Sequence, residues 1–303
     1  MLSKWIWVAL LLLTAGCSNL NPTPFVQYNS AIQEAQSGID AALSVTHDWA
    51  REGFAEGFAV DPESEFHQLV LETGAGYQWT WEASPLYVQL FNLRPALFAL
   101  NSVMADYAEL LLDLATHDLS DSSRFAELSG DINQHAYEAG VALGLEGDRA
   151  SLALFSTLAG GLIQQYVQSK RGIHLRNAIR ENQPRITAYA DRCIYLIQRL
   201  MVTTKRYYAD RHEPIRLQWT GTTKLTSRVK PTEQMLDLNE AYIATMRTLE
   251  ELERTFAALP LAHRELAENL DAPQPILEEM RALHDSAVRL RRLYHELSGG
   301  GDE

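Results

Sequence analysis

The sequence of 303 residues lacks the short motifs from which an enzyme is usually recognised. It has no Gly-x-Ser-x-Gly nucleophile turn, no His-Glu-x-x-His zinc motif and no Gly-Lys-Ser/Thr phosphate loop. These absences exclude the active sites that such motifs mark, although a catalytic set assembled from distant residues stays open. The sequence therefore predicts no catalytic residue, cofactor or metal ligand. It also contains no repeat of fixed period and no low-complexity region.

Positive charge is scarce, with 26 Lys and Arg against 39 Asp and Glu, a net charge of −13. Such a chain repels phosphate backbones, so we expect no nucleic-acid partner. The charge is also unevenly distributed. Residues 170–216 hold eleven bases and four acids, whereas residues 101–150 hold ten acids and two bases. A hydrophobic content of 46% is sufficient for a packed core.

The amino terminus has the pattern of a secretory signal peptide. One basic residue, Lys4, precedes an apolar run from Trp5 to Leu13, which is shorter than the about 20 residues that a membrane-spanning helix needs. The following stretch, Leu13-Thr14-Ala15-Gly16-Cys17, resembles the lipobox of bacterial lipoproteins. It departs from most lipoboxes at Thr14, where Leu is usual.

The resemblance implies that residues 1–16 are removed and that Cys17 carries an acylated lipid, with residues 17–24 as a tether. Since Ser18 and not Asp follows the cysteine, it implies an anchor in the outer membrane of enteric-type bacteria, facing the periplasm. The alternative is an ordinary secretory signal with a chance cysteine. If Cys17 is lipidated, Cys193 has no disulfide partner. Its helical spacing from apolar neighbours predicts a buried core thiol, with a reactive thiol as the alternative.

Apolar residues spaced three and four apart predict a mainly α fold, an elongated multi-helix bundle formed by residues 25–303. Predicted helices cover residues 25–58, 64–72, 85–115, 122–145, 149–169 and 173–210. The last is one long helix with heptad-like spacing or two helices joined at Pro184. Residues 232–298 predict an antiparallel helical hairpin whose connection contains Pro260, Pro273 and Pro275.

Two stretches alternate with period two and predict a minor β element. Around a turn at residues 220–222, the alternation predicts a β-hairpin at residues 210–231. A strand is predicted at residues 77–82 and would pair with that hairpin. The pairing would gather Trp79, Trp81 and Trp219 into an aromatic contact patch, or alternatively into the packing of a sheet–helix junction.

Four arginines spaced seven residues apart predict a basic stripe along the long helix. They are Arg185, Arg192, Arg199 and Arg206. Guanidinium groups suit bidentate contacts with phosphate, so the stripe is a candidate site for phospholipid headgroups, lipopolysaccharide phosphate or an acidic protein. The alternative is that it faces acidic helices of the same molecule, where exposed ion pairs contribute little.

Two weaker candidates remain. His135 and Glu138 have the i, i+3 spacing of di-iron bundles, but no second pair at this spacing appears, so no metal site is predicted. The uncharged residues 150–169 predict a buried helix, because Gln164 and other amides would be costly in hydrocarbon. The alternative, on composition only, is a membrane-inserting hairpin at residues 139–167, as in helical pore-forming proteins.

Together these observations predict a lipid-anchored helical protein that acts as a scaffold or interaction protein of the cell envelope. The alternatives are a membrane-active helical protein and an enzyme with a dispersed site. The expected partners are the membrane, through lipid on Cys17, and an envelope protein or anionic lipid. The heptad-like seams also allow self-association.

Overall fold

The structure, a computed structural model, describes five long helices and part of a shorter helical stretch. The described residues are 21–60, 86–116, 127–128, 130–135, 137–138, 171–270 and 277–297. The long helices are α1 (Thr23–Val60), α2 (Leu86–Thr116), α3 (Arg171–Gly221), α4 (Val229–Glu268) and α5 (Glu278–Leu297). The described residues contain no strand, which confirms the predicted mainly α class and argues against the β element.

The helices pack as a bundle around a shared apolar core. α3 packs along α4, α4 along α5, α5 along α1 and α1 along α2, and a smaller contact between α2 and α3 closes the ring. The predicted spacing of three and four is visible in α1, where Ile32, Ala35 and Ile39 are all buried. Gly38 on the same helix permits close packing, since a Cβ there would lie 3.1 Å from the Leu290 side chain of α5.

Helix α3 is continuous over 51 residues, with Pro184 inside it. Of the two predictions for this region, the single long helix is therefore correct. The predicted seam is buried from Leu175 to Leu200, as expected for a heptad-like contact with α4. The two helices run antiparallel, because Gln183 pairs with Pro260 and Gln198 pairs with Glu253.

The predicted β-hairpin at residues 210–231 is wrong. α3 continues as a helix through Gly221, a short 3₁₀ helix covers Leu225–Arg228, and α4 begins at Val229. The predicted turn at residues 220–222 is therefore the end of a helix rather than the centre of a hairpin.

The alternation that suggested strands does not mark a buried face. Leu217 and Trp219 are 55% and 41% exposed, so neither packs against a partner sheet. A strand is stable only when its backbone pairs with another strand, whereas a helix satisfies its own backbone groups. One turn earlier, Arg216 donates two hydrogen bonds to Glu213, the i, i+3 contact that supports a helix.

Helices α4 and α5 lie where a helical hairpin was predicted, at residues 232–298. The connection starts later than predicted, because α4 continues past Pro260. The buried carboxylate of Glu265 accepts hydrogen bonds from the backbone N–H groups of Glu279 and Met280, at 3.2 and 2.9 Å. These N–H groups belong to the first turn of α5 and lack helical acceptors, so Glu265 caps that helix.

The α3–α4 pair continues beyond the core, and we call residues 201–244 the arm. Buried core positions end at Leu200 on α3 and resume at Leu249 on α4. The only buried residues of the arm are Thr204, Pro231 and Leu238. At 1.5 Å per residue, α3 extends about 30 Å past Leu200. The arm is therefore a pair of helices that buries few of its own side chains.

Several predictions fall outside the described residues. They are the signal peptide at residues 1–16 with Cys17, the helix at residues 64–72, the strand at residues 77–82 and the uncharged stretch at residues 150–169.

Candidate interaction surface

The predicted arginine stripe lies on α3, and its members differ in environment. Arg185 is half-buried and donates to the side-chain oxygen of Asn182 at 2.6 Å. Arg192 and Arg206 are exposed, and Arg199 is half-buried. Three of the four therefore reach solvent on the part of α3 that runs from the bundle into the arm, and Arg185 is tied to a buried amide.

A tyrosine that the sequence analysis did not single out organises two of these arginines. The guanidinium carbons of Arg192 and Arg199 lie 5.5 and 5.6 Å from the centre of the Tyr195 ring. Arg199 also donates to the Tyr195 hydroxyl at 3.0 Å. Both contacts are cation–π interactions that limit the freedom of long side chains. We call Arg192, Tyr195, Arg199 and Arg206 the arginine face.

Sequence spacing could have identified Tyr195. It lies three residues after Arg192 and four before Arg199, and side chains at these spacings meet on one helix face. The ring remains 45% exposed in spite of both contacts. The arginine face thus presents two oriented guanidinium groups and an accessible aromatic edge, a combination suited to an anionic group beside an apolar one.

The end of the arm, residues 211–230, forms a second exposed surface, which we call the tip. Its apolar members are Leu217, Trp219, Leu225 and Val229. Leu225 is 85% exposed, the highest value among the large apolar side chains of the described residues. The tip also holds five basic residues and one acid. Within it, the bonds with Arg216 keep the pKa of Glu213 below its ordinary value.

The predicted aromatic patch is not formed by the described residues. Trp219 lies at the tip, on a helix rather than a strand, and Trp79 and Trp81 lie outside the described residues. The neighbour of Trp219 is instead Arg228, whose guanidinium carbon lies 4.5 Å from the centre of the indole ring.

A buried polar cluster lies at the other end of α4. His263 is fully buried, with its Nε2 2.9 Å from the Tyr107 hydroxyl and its Nδ1 2.7 Å from the side-chain oxygen of Gln183. The amide nitrogen of Gln183 donates to the carbonyl of Pro260. The Gln183 oxygen can therefore only accept, so Nδ1 carries the proton and Nε2 accepts from Tyr107.

Burial lowers the pKa of His263 to about 3, so the imidazole is neutral at physiological pH. Burial also raises the pKa of the hydroxyl groups of Tyr28, Tyr107 and Tyr189. All four side chains are inaccessible to solvent. A general base needs access to a substrate proton, so this cluster supports the packing of α1, α2, α3 and α4 rather than chemistry.

Cys193 is the buried core thiol that its spacing predicted. It is fully buried and free. Desolvation raises its pKa to about 12. Reactive cysteines require an accessible thiolate, so the alternative of a reactive thiol is not supported.

The pair His135 and Glu138 does not converge on a common point. Nδ1 of His135 lies 2.7 Å from the Asp106 carboxylate, whereas Glu138 accepts from Gln134. Burial raises the pKa of Asp106, partly offset by its hydrogen bond to His135. In the part of the chain that the structure describes, no group of three or more His, Cys, Asp or Glu could hold a metal ion.

None of the described helices combines the length and apolar character needed to cross a membrane. Compared with known proteins, the chain matches no protein-family model, no curated protein and no solved structure. The surfaces of this chain itself therefore carry the functional argument.

Proposed function

We propose that the protein is a lipid-anchored scaffold or binding protein of the cell envelope, and that its arginine face holds an anionic partner. The observation that carries the proposal is the pair of guanidinium groups oriented by the exposed ring of Tyr195. Two fixed cations beside an apolar ring match a partner that offers phosphate or carboxylate groups. The lipobox-like segment that ends at Cys17 supports the envelope location.

The anchor is tested by replacing Cys17 with Ser and fractionating cells. We expect the variant to leave the membrane fraction when the membranes are washed with 0.5 M NaCl, because no acyl chain can be attached to serine at this position and salt weakens charge contacts with lipid. The matched change is Ser18→Asp, which keeps the cysteine and should move the protein from the outer to the inner membrane in an enteric host. A Cys17→Ser protein that stays in the membrane fraction through this salt wash would contradict the anchor.

The arginine face is tested with the full-length lipidated protein in pull-downs from detergent-solubilised envelopes. The variant R192E/R199E should lose a bound component that the unaltered protein retains, and raised salt should weaken the same contact. The control R264E/R281E carries the same charge change on exposed positions of the bundle and should keep the component. Equal retention by both variants, or equal loss, would contradict a partner site on the arginine face.

The membrane-active alternative rests on residues 139–167, which all lie outside the described residues, and it stays a prediction. An enzyme with a dispersed site also stays a prediction, and no accessible catalytic set in the described residues favours it.

A further inference from the structure

The tip exposes apolar side chains on a basic background. Leu225 is the first residue of the 3₁₀ helix, directly after Lys224, and Arg228 is its last residue. Trp219 lies near the end of α3 and Val229 at the start of α4, on either side of this 3₁₀ helix. Aliphatic and aromatic side chains of this size are normally placed where they leave water. Their concentration at the turn that ends the arm therefore indicates a contact surface.

The tip has an ordered conformation. Arg228 donates to the backbone carbonyl of Thr222 at 2.8 Å and covers the face of Trp219. The Thr222 hydroxyl donates in turn to the carbonyl of Gln218 at 2.8 Å. These bonds fix the turn so that Leu225 points outward while its neighbours stay attached to the helix ends. A preformed apolar projection loses little conformational freedom on binding.

The charge of the tip opposes that of the whole chain. Residues 211–230 hold five bases and one acid, within a protein of net charge −13. The acid, Glu213, is already paired with Arg216 at 2.6 Å. Lys224 and Lys230 are exposed on either side of Leu225. An anionic surface would therefore attract the tip.

From these features we infer that the tip binds the surface of a bilayer that contains anionic phospholipid. Leu225 and Trp219 enter the boundary between headgroups and acyl chains, and Lys224 and Lys230 contact lipid phosphates. A lipid surface fits better than a protein partner, because a stable protein interface involves about 20–30 residues a side. The tip has only one convex turn and two helix ends, which is less surface than a protein interface of that size needs. The inference deepens the proposed function and rests on it for the envelope setting.

The contact is separate from the predicted lipid anchor. Tyr28, near the start of α1, lies beside His263, with ring centroids 6.0 Å apart. From His263 to Val229, α4 extends about 50 Å at 1.5 Å per residue. The tip and the start of α1 are thus at opposite ends of α4, and the tip can be studied in a protein without lipid.

The test uses the mature chain with Cys17→Ser and sedimentation with vesicles of phosphatidylcholine alone or with 25 mol% phosphatidylglycerol. We expect binding to the anionic vesicles, weakened at least tenfold by 0.5 M NaCl and nearly absent on neutral vesicles. Leu225→Ser should weaken binding about tenfold, because the burial of a leucine side chain is lost. K224E/K230E should weaken it at least as much.

Leu261→Ser is the matched control. Leu261 is 40% exposed on the bundle part of α4, so the same change there should leave vesicle binding unaltered. Circular dichroism should show equal melting temperatures for all variants, because every altered side chain is exposed. Quenching of Trp fluorescence by brominated lipids should be smaller in Trp219→Phe than in the parent protein.

Equal binding to neutral and anionic vesicles, or an equal loss in Leu225→Ser and Leu261→Ser, would overturn the inference. Failure of vesicle binding combined with loss of the pull-down component in Leu225→Ser would assign the tip to a protein instead. That result would leave the proposed function standing. Equal retention of the component by R192E/R199E and R264E/R281E, with intact vesicle binding, would contradict the arginine face and leave the inference about the tip standing.

Discussion

Helix α3 runs through two regions, the bundle and the arm, which differ in how much of the helix is buried. Between Leu175 and Leu200 its seam is buried against the bundle, and after Leu200 the only buried residue of the same helix is Thr204. The arm is stabilised by local contacts, such as the stacked rings of Tyr208 and Tyr242 with centroids 4.3 Å apart. The difference teaches that helical periodicity and burial are separate properties. The bundle provides stability, and the arm is free to present surface.

The largest expected effect comes from the same substitution at two positions of α3. Leu200→Ala should lower the free energy of unfolding by about 2–5 kcal/mol, because it leaves a cavity in the core. Leu217→Ala should change it by less than about 0.5 kcal/mol, because that side chain is 55% exposed. Urea denaturation of both variants measures the difference. Similar losses at the two positions would mean that the arm contributes to the core.

The second-largest effect is an acid dependence of the free energy of unfolding, which arises from His263 in the bundle. His263 has a folded pKa of about 3, below the ordinary value of 6.5, so under acid the unfolded chain binds a proton that the folded protein does not. Its contribution is fully present above pH 6.5 and is lost as the pH falls towards 3. The loss is about 1.4 kcal/mol per pH unit, or roughly 3 kcal/mol at pH 4.

Urea denaturation between pH 7 and pH 4 measures this contribution. His263→Gln, which has no titrating group, should show a shallower loss of stability with acid than the unaltered protein. The comparison concerns the slopes and not the absolute stabilities, since the substitution also changes packing. Parallel slopes in the two proteins would show that His263 does not limit acid stability.

A smaller effect is expected at the cap of α5. Glu265→Ala should lower the free energy of unfolding by about 1–2 kcal/mol, because two backbone N–H groups lose their acceptor. Hydrogen exchange at Glu279 and Met280 should become faster. Glu268→Ala, three residues later and exposed, is the control and should alter neither quantity. Equal exchange in both variants would contradict the role of Glu265 as a cap.

Much of the bundle could be predicted from spacing. Within the predicted hairpin, residues of α4 spaced three and four apart, such as Leu249, Leu252 and Phe256, are buried. On α5, residues at the same spacing are buried likewise, namely Met280, Leu283, Ala287 and Leu290. Such patterns succeed because a long amphipathic helix has one face that must leave water, whichever helix covers it.

The failures have a common cause. The short alternation around Trp219 was compatible with a strand, but seven residues cannot distinguish a period of two from a helix whose exposed side carries scattered apolar residues. Pro260 predicted a connection between helices, yet α4 continues through it and packs along α3 and α5. In each case the decision depended on a partner, or on the lack of one, that a local pattern does not contain.

Of the two exposed surfaces, the arginine face could be predicted from the sequence and the tip could not. Seven-residue spacing placed the arginines on one helix, and the neighbouring Tyr195 could have been added by the same rule. The exposed tip could not be predicted, because the same apolar residues would have been core positions if another helix had covered them. His263 is the reverse case, a polar residue whose partners Tyr107 and Gln183 are 156 and 80 residues away in the chain.

The amino-acid sequence by itself determined the helical character, the positions of the apolar seams and the separation of basic from acidic segments. These are local properties, set by the period of the helix and by composition. Only the tertiary structure decided where the seam of α3 ceases to be covered, which buried polar groups find partners, and that Leu225 and Trp219 remain in solvent. Those outcomes depend on how far each helix reaches along its neighbours, and no short stretch of sequence contains that information.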